Sequence, residues 1–278
     1  MRPNLIVIGA AKCGTTSLHE YLNEHPEISM SREKEPHFFV EGKNWDRGLA
    51  WYESQFDADA PVRGESSPGY SAFPLYRGVP QRMAETIPDA RLVYLVRDPL
   101  ERIVSHYSHR SVNWPEMRSL EESLADPHLR DWLVTPSRYW LQLEQYLARF
   151  SSEQILVVDA DDLRASRVKT LARIFAFLGV DPSFSSPEFD RTHNAATGRV
   201  RPNLAGEAVL TTLDRVVGPA LAKGVRERAP RVLKRPFRYE SPTPALPGEV
   251  RAKLEDELRD DVSRLRAHTG LAFAGWTV

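Results

Sequence analysis

One cysteine, Cys13, in 278 residues leaves the chain without an internal disulfide and without a cysteine-based zinc cluster. Charge of one sign is missing too: 37 Lys and Arg stand against 38 Asp and Glu, a formal net charge of −1. No whole-molecule field therefore favours nucleic acid or anionic lipid, and no nucleic-acid partner is expected. Long apolar runs are also lacking, since stretches such as Leu92 to Val96 and Ile155 to Val158 fall far short of the ~20 residues of a membrane span. Lys12 interrupts the N-terminal apolar stretch before it reaches the length of a signal-peptide core. With no targeting signal read and a lone thiol, the expected location is cytoplasmic and no membrane span is expected.

What is present is folded-protein composition, with 41% hydrophobic and 27% charged residues. Leu5 to Ile8 is an apolar run of strand length that enters a glycine-containing turn and then a helical pattern carrying Leu18, Tyr21 and Leu22. That helix should stop between Asn23 and Pro26. Leu92 to Val96 and Ile155 to Val158 repeat the buried-strand signature, each with helical sequence nearby, which implies a parallel α/β sheet. Tyr139, Leu143, Tyr146, Leu147 and Phe150 share one helical face. Leu171 to Leu178 predicts a helix ending at Gly179, and Val250, Leu254, Leu258, Val262 and Leu265 predict a C-terminal one. Residues 219–247 interleave prolines with Lys and Arg, a pattern of a solvated connection or of an anion-binding segment.

The turn after the first strand reads Gly9-Ala10-Ala11-Lys12-Cys13-Gly14-Thr15-Thr16-Ser17. Free backbone N–H groups at a helix start hold anions, and three successive hydroxyls suit a tetrahedral oxyanion. No G-x-G-x-x-G is present, so a dinucleotide fold of the hydride-transfer type is a poor match. The spacing Gly9 to Gly14 imitates a Walker A loop, yet Thr15 stands where its lysine belongs and the nearest lysine is Lys12. Nucleoside triphosphate hydrolysis is correspondingly disfavoured. Cys13 has no base beside it in sequence and reads as a small loop residue rather than a nucleophile. After the second apolar strand, Arg97 supplies a guanidinium and Ser105 a hydroxyl, a pair suited to a phosphomonoester. Asp98 and Arg102 beside them read as a local ion pair or helix cap.

These two segments carry a resemblance. Gly9 to Ser17 resembles the 5′-phosphosulfate loop of sulfotransferases that use 3′-phosphoadenosine 5′-phosphosulfate (PAPS), and Arg97 to His109 is similar to the same family's 3′-phosphate motif. The closing Leu271 and Trp276 also match, so the likeness runs from Leu5 to about Trp276 and implies a single sulfotransferase domain over residues 1–278. It implies a P-loop-like parallel sheet flanked by helices on both faces, and PAPS as co-substrate. Lys12, Cys13, Gly14, Thr15, Thr16 and Ser17 would then hold the 5′ side, Arg97 and Ser105 the 3′-phosphate, and a late loop with Gly198 and Arg199 would close over the nucleotide.

Arg32-Glu33-Lys34-Glu35-Pro36-His37-Phe38-Phe39 is similar to the catalytic stretch of the heparan sulfate sulfotransferases, as expected of a bacterial-type member of that group. The likeness implies Glu35 as general base, with His37 orienting it or handling a proton. Glu65, in Gly64 to Tyr70, is a second candidate base; Ser66 replaces a lysine frequent there, which argues against highly anionic glycans as acceptors. Tyr139 matches a tyrosine of the family's mid-chain helix but is equally explained as core. Sulfuryl transfer needs a base for the acceptor and a cation for the leaving phosphate, with no obligatory metal, and Lys12 is the expected cation. The expected activity is transfer to a hydroxyl, less readily an amine, of a small-molecule, lipid or glycan acceptor. Two rivals remain: a P-loop kinase, with Asp159 as a Walker-B-like strand-end aspartate, and a catalytically silent nucleotide-binding scaffold.

Overall fold

The computed structural model describes residues 1–57, 59–113, 118–191, 200–202, 238–240 and 244–278. Five parallel strands form the central sheet: β1 (Leu5–Gly9), β2 (Ile28–Met30), β3 (Val62–Ser66), β4 (Arg91–Val96) and β5 (Ile155–Asp159), in the order β2-β3-β1-β4-β5. Every residue of β1 is buried, as are all of β4 after Arg91. Side chains alternate between faces along a strand, so burial at successive positions means that both faces of the sheet are covered. The apolar, β-branched composition of these strands follows from that double burial.

Helix α1 (Thr15–Asn23) carries the chain from β1 toward β2 on one side of the sheet, whereas α4 (Pro99–Asn113) leaves β4 toward β5 on the other. Adjacent strands whose connections diverge open a crevice at their carboxyl ends, where ligands of open α/β sheets bind. Between β1 and β4 the register shifts from Val7 to Gly9, and Ala10 N–H donates to the Leu95 carbonyl at 2.6 Å. The turn after β1 is thereby held against the end of β4.

The remaining helices are α2 (Gly48–Glu53), α3 (Val79–Thr86), α5 (Leu120–Ala125), α6 (Pro127–Val134), α7 (Tyr139–Leu147), α8 (Ala160–Ala165), α9 (Arg167–Leu178) and α10 (Gly248–Thr269). A short antiparallel pair joins β6 (Val200–Pro202) to β7 (Arg238–Glu240). The predicted helix through Phe150 ends earlier, at Leu147, with Phe150 still buried beyond it. Gly179 ends α9 in the left-handed region, as its position predicts. A main core surrounds the sheet, and a second gathers Leu100, Ile103 and Tyr107 of α4 with Leu133, Val134, Leu254 and Leu258. Helix α10 gives Leu254 and Leu258 to the second core and Val262 and Leu265 to the first. Its Asp261 accepts from Trp140 and Leu141 N–H at 2.9 Å each, capping the start of α7. No helix among the described residues is long and apolar enough to cross a membrane.

Candidate active site

The crevice holds a cavity of about 790 Å³. Its floor is the turn between β1 and α1. Gly9 is forced by packing: a Cβ there would lie 1.8 Å from Ser71 Oγ and 3.2 Å from the Pro68 carbonyl. Lys12 and Gly14 take φ of 75° and 91°, turning the backbone sharply so that Thr15 can start α1. The first turn of α1 has no side-chain cap, and its orphan N–H groups and positive dipole end form an anion receptor. Lys12, Cys13, Gly14, Thr15, Thr16 and Ser17 all line the cavity.

Arg97 follows β4 directly. Its Nη1 donates to the Lys12 carbonyl at 3.5 Å, and its other nitrogen pairs with Glu101 one turn along α4. Burial works against the guanidinium charge, but Glu101 and other nearby groups raise its pKa on balance. Ser105, two turns into α4, lines the same cavity. The two segments that resemble the 5′ and 3′ phosphate motifs thus share one enclosure.

Glu35 and His37 enter from the chain after β2. Glu35 Oε1 accepts from Lys34 Nζ at 2.7 Å, and Oε2 lies 3.4 Å from His37 Nε2. Burial would raise the Glu35 pKa, but hydrogen bonds and charge from His37 and Lys34 outweigh it and hold the carboxyl at about 2. It is therefore a carboxylate at neutral pH. His37 sits at φ 48°, with its N–H donating to Ser67 Oγ at 3.1 Å.

Glu65 behaves differently. It is fully buried, outside the cavity wall, and accepts from Tyr52 OH at 2.5 Å, Tyr70 OH at 2.9 Å and Ser67 Oγ at 2.5 Å. Burial pushes its pKa up against those three hydrogen bonds. Through Ser67 it anchors the His37 backbone. Ser66 is buried against His19, 3.2 Å from Nδ1, and does not line the cavity. Position 66 thus lies in the strand interior and not on the cavity wall.

Cys13 is buried with Sγ 3.7 Å from Tyr139 OH, and burial pushes the thiol pKa up. A raised thiol is a poor nucleophile, which agrees with a small loop residue. Tyr139 is fully buried against Tyr94 and Trp276. Asp159 accepts from Asp161 N–H at 3.0 Å and caps α8 instead of facing the cavity. Of the two readings of Asp98 and Arg102, a helix cap or a local ion pair, the cap holds for Asp98, and no pairing of the two is found among the described residues. Asp98 caps α4 through Glu101 N–H at 2.8 Å and receives Thr277 N–H at 2.6 Å, while Arg102 points to other partners. Gly198 and Arg199 lie outside the described residues.

Sequence reasoning missed Lys43, Arg164 and Arg167 and gave His106 and His109 no role of their own, although all five are on the cavity wall. His109 lies one helical turn beyond Ser105, a signal readable from spacing. Arg164 and Arg167 follow the carboxyl end of β5, the edge where α/β sheets collect ligand groups. Among the described residues that line the cavity, Lys12, Lys43, Arg97, Arg164 and Arg167 stand with two carboxylates, Glu35 and Asp161, while Glu101 behind the wall pairs with Arg97. The cavity is strongly cationic in a chain that is nearly neutral.

A family model described as sulfotransferase domain matches residues 2–197. The chain belongs to the PAPS-dependent sulfotransferase family. The chain is 31% identical over 196 residues to human heparan sulfate glucosamine 3-O-sulfotransferase 3B1, covering 67% of this chain and 48% of that one. Over 199 residues it is 28% identical to the bovine bifunctional heparan sulfate N-deacetylase/N-sulfotransferase 2, covering 65% and 22%. The chain thus spans half or less of the length of these two relatives. A crystal structure of a sulfotransferase from Alicyclobacillus acidocaldarius superposes with a TM-score of 0.71 at 26% identity, covering 100% of both chains.

Proposed function

We propose that the chain moves a sulfuryl group from PAPS to a hydroxyl acceptor, less readily an amine, as a single sulfotransferase domain. The observation that carries this is the meeting, in one cation-rich cavity, of the anion loop Lys12 to Ser17, the Arg97–Ser105 pair and an ionised Glu35. The size and donors of the cavity suit a nucleotide bearing two phosphate groups. Lys12 to Ser17 would hold its 5′ side and Arg97 with Ser105 its 3′-phosphate, with Gly198 and Arg199 proposed to close over it.

PAPS supplies the activated sulfuryl group. The acceptor O–H proton passes to the Glu35 carboxylate, the acceptor oxygen bonds to sulfur, and the bond from sulfur to the bridging phosphate oxygen breaks. The electron pair leaves on adenosine 3′,5′-bisphosphate, where Lys12 and the N–H groups of α1 meet the developing charge. His37 holds the Glu35 carboxylate in place and Lys34 keeps it ionised. The names of the relatives favour a saccharide acceptor, and a hydroxylated lipid or small molecule meets the same chemistry.

Calorimetry with adenosine 3′,5′-bisphosphate tests the nucleotide assignment. Binding without magnesium is expected; magnesium-dependent ATP binding alone would support the kinase reading. Two features already count against a kinase, Thr15 in the lysine place and Asp159 turned to cap a helix. Lys12→Ala should remove turnover by about 10²-fold or more while changing nucleotide affinity far less. Undiminished turnover in that variant overturns the role of Lys12.

A further inference from the structure

Arg102 is fully buried, and among the described residues none of the hydrogen-bond partners of its guanidinium carries a negative charge. Nε donates to Ser137 Oγ, Nη2 to the Leu133 carbonyl, and Nη1 to both the Ala11 carbonyl at 3.4 Å and His106 Nδ1 at 3.3 Å. Among the described residues no carboxylate lies within ion-pair distance, and the Asp98 oxygens are engaged by Glu101 and Thr277. A buried charge without a counter-ion is costly and is retained only where something repays it. Here the guanidinium grips the carbonyl of the residue before Lys12, in the loop shaped to receive an anion. Arg97 grips the next carbonyl, that of Lys12. Two consecutive peptide groups of the loop are thus tied to two guanidiniums.

The bond to His106 settles a proton. Arginine only donates, so His106 Nδ1 must accept and the neutral ring carries its hydrogen on Nε2. Burial, then the charges of Arg102, Arg110, Lys12 and His109, hold the His106 pKa down to about 2. The ring lines the cavity.

We propose that Arg102 is a positioning residue of the anion site: it locks the Ala11 carbonyl and the His106 imidazole to one guanidinium, presents His106 Nε2–H as a donor to a phosphate of the bound nucleotide, and takes that phosphate as its counter-charge. The identity of the anion rests on the sulfotransferase reading; the wiring of Arg102 does not.

The test measures melting temperature, affinity for adenosine 3′,5′-bisphosphate and the histidine tautomer in the full chain. Arg102→Met should melt at the same or higher temperature than the parent without ligand, yet bind the bisphosphate about 10- to 100-fold more weakly. His106→Gln, which keeps a donor near the Nε2 position, should stay within about threefold of the parent, and His106→Leu should lose about tenfold. Nitrogen-15 NMR of the parent should show His106 neutral and protonated on Nε2 at neutral pH. A lower melting point with unchanged affinity in Arg102→Met would make Arg102 a structural strut and sink the proposal. Should that variant fail to fold, equal affinity of the two His106 variants, or a proton on Nδ1, overturns it. If the parent ignores the bisphosphate, the nucleotide reading is what has failed; titration with inorganic phosphate then decides for Arg102, with equal binding by parent and Arg102→Met counting against it.

Discussion

The carboxylate proposed to take the acceptor's proton is held ionised by its own neighbours. Glu35, with its pKa lowered to about 2 under Lys34 and His37, does not change charge between about pH 5 and 8, so it sets no acid limb in that range. A pH–rate profile of the parent enzyme checks this; an acid limb abolished in Glu35→Gln would contradict it. The same variant should lose about 10²- to 10⁴-fold in kcat while binding adenosine 3′,5′-bisphosphate nearly as the parent does. For stability the sign follows from a folded pKa below the unfolded one: the contribution is in place above about pH 4.3 and is lost as pH falls toward about 2. Acid titrations of parent and Glu35→Gln should therefore differ above that window and converge below it. Because the side chain is 41% exposed, solvent keeps the difference small. At this scale the sequence points to Glu35, Arg97 and Ser105, which line one cavity, because each sits in a short motif with fixed neighbours. It conceals Arg102, whose buried partners Ser137 and Leu133 come from residues more than thirty positions away.

At the scale of elements, the β1 turn and α1 are legible because their signals are local: an apolar run, glycines and hydroxyls in sequence. β2 and β3 are not. Ile28–Met30 is three residues long, and β3 reads Val62-Arg63-Gly64-Glu65-Ser66, too polar to announce a central strand. Glu65 is tolerated inside only because Tyr52 of α2 and Ser67 and Tyr70 of the turn after β3 converge on it. Replacing it by Ala should strip those hydroxyls of their shared acceptor and destabilise the fold by about 3–5 kcal/mol, as measured by urea unfolding. A loss below about 1 kcal/mol would show that the three donors find other partners. Gly9→Ala tests the junction itself: a methyl 1.8 Å from Ser71 Oγ forces the turn away from the Pro68–Ser71 segment. The expected cost is about 1–3 kcal/mol with weakened bisphosphate binding; a variant as stable as the parent would mean Ser71 simply rotates aside.

For the molecule as a whole, near-neutral net charge conceals a strongly cationic crevice, and only the three-dimensional gathering of Lys43, Arg164 and Arg167 beside the loop reveals it. Binding of the bisphosphate should therefore weaken steeply with added salt even though the protein carries a formal charge of −1. Titrations over a range of ionic strength measure this, and a flat response would contradict it. The composite sheet was readable as an α/β architecture from its three apolar strands, whereas the second hydrophobic centre depends on pairing distant helices that no local pattern declares. Helix α10 lends one half of its apolar stripe to each centre. Neither centre can loosen without tearing a single rod that belongs to both, so heat should melt the described body in one step, and amides of β1 and α4 should exchange their hydrogens with the same opening energy.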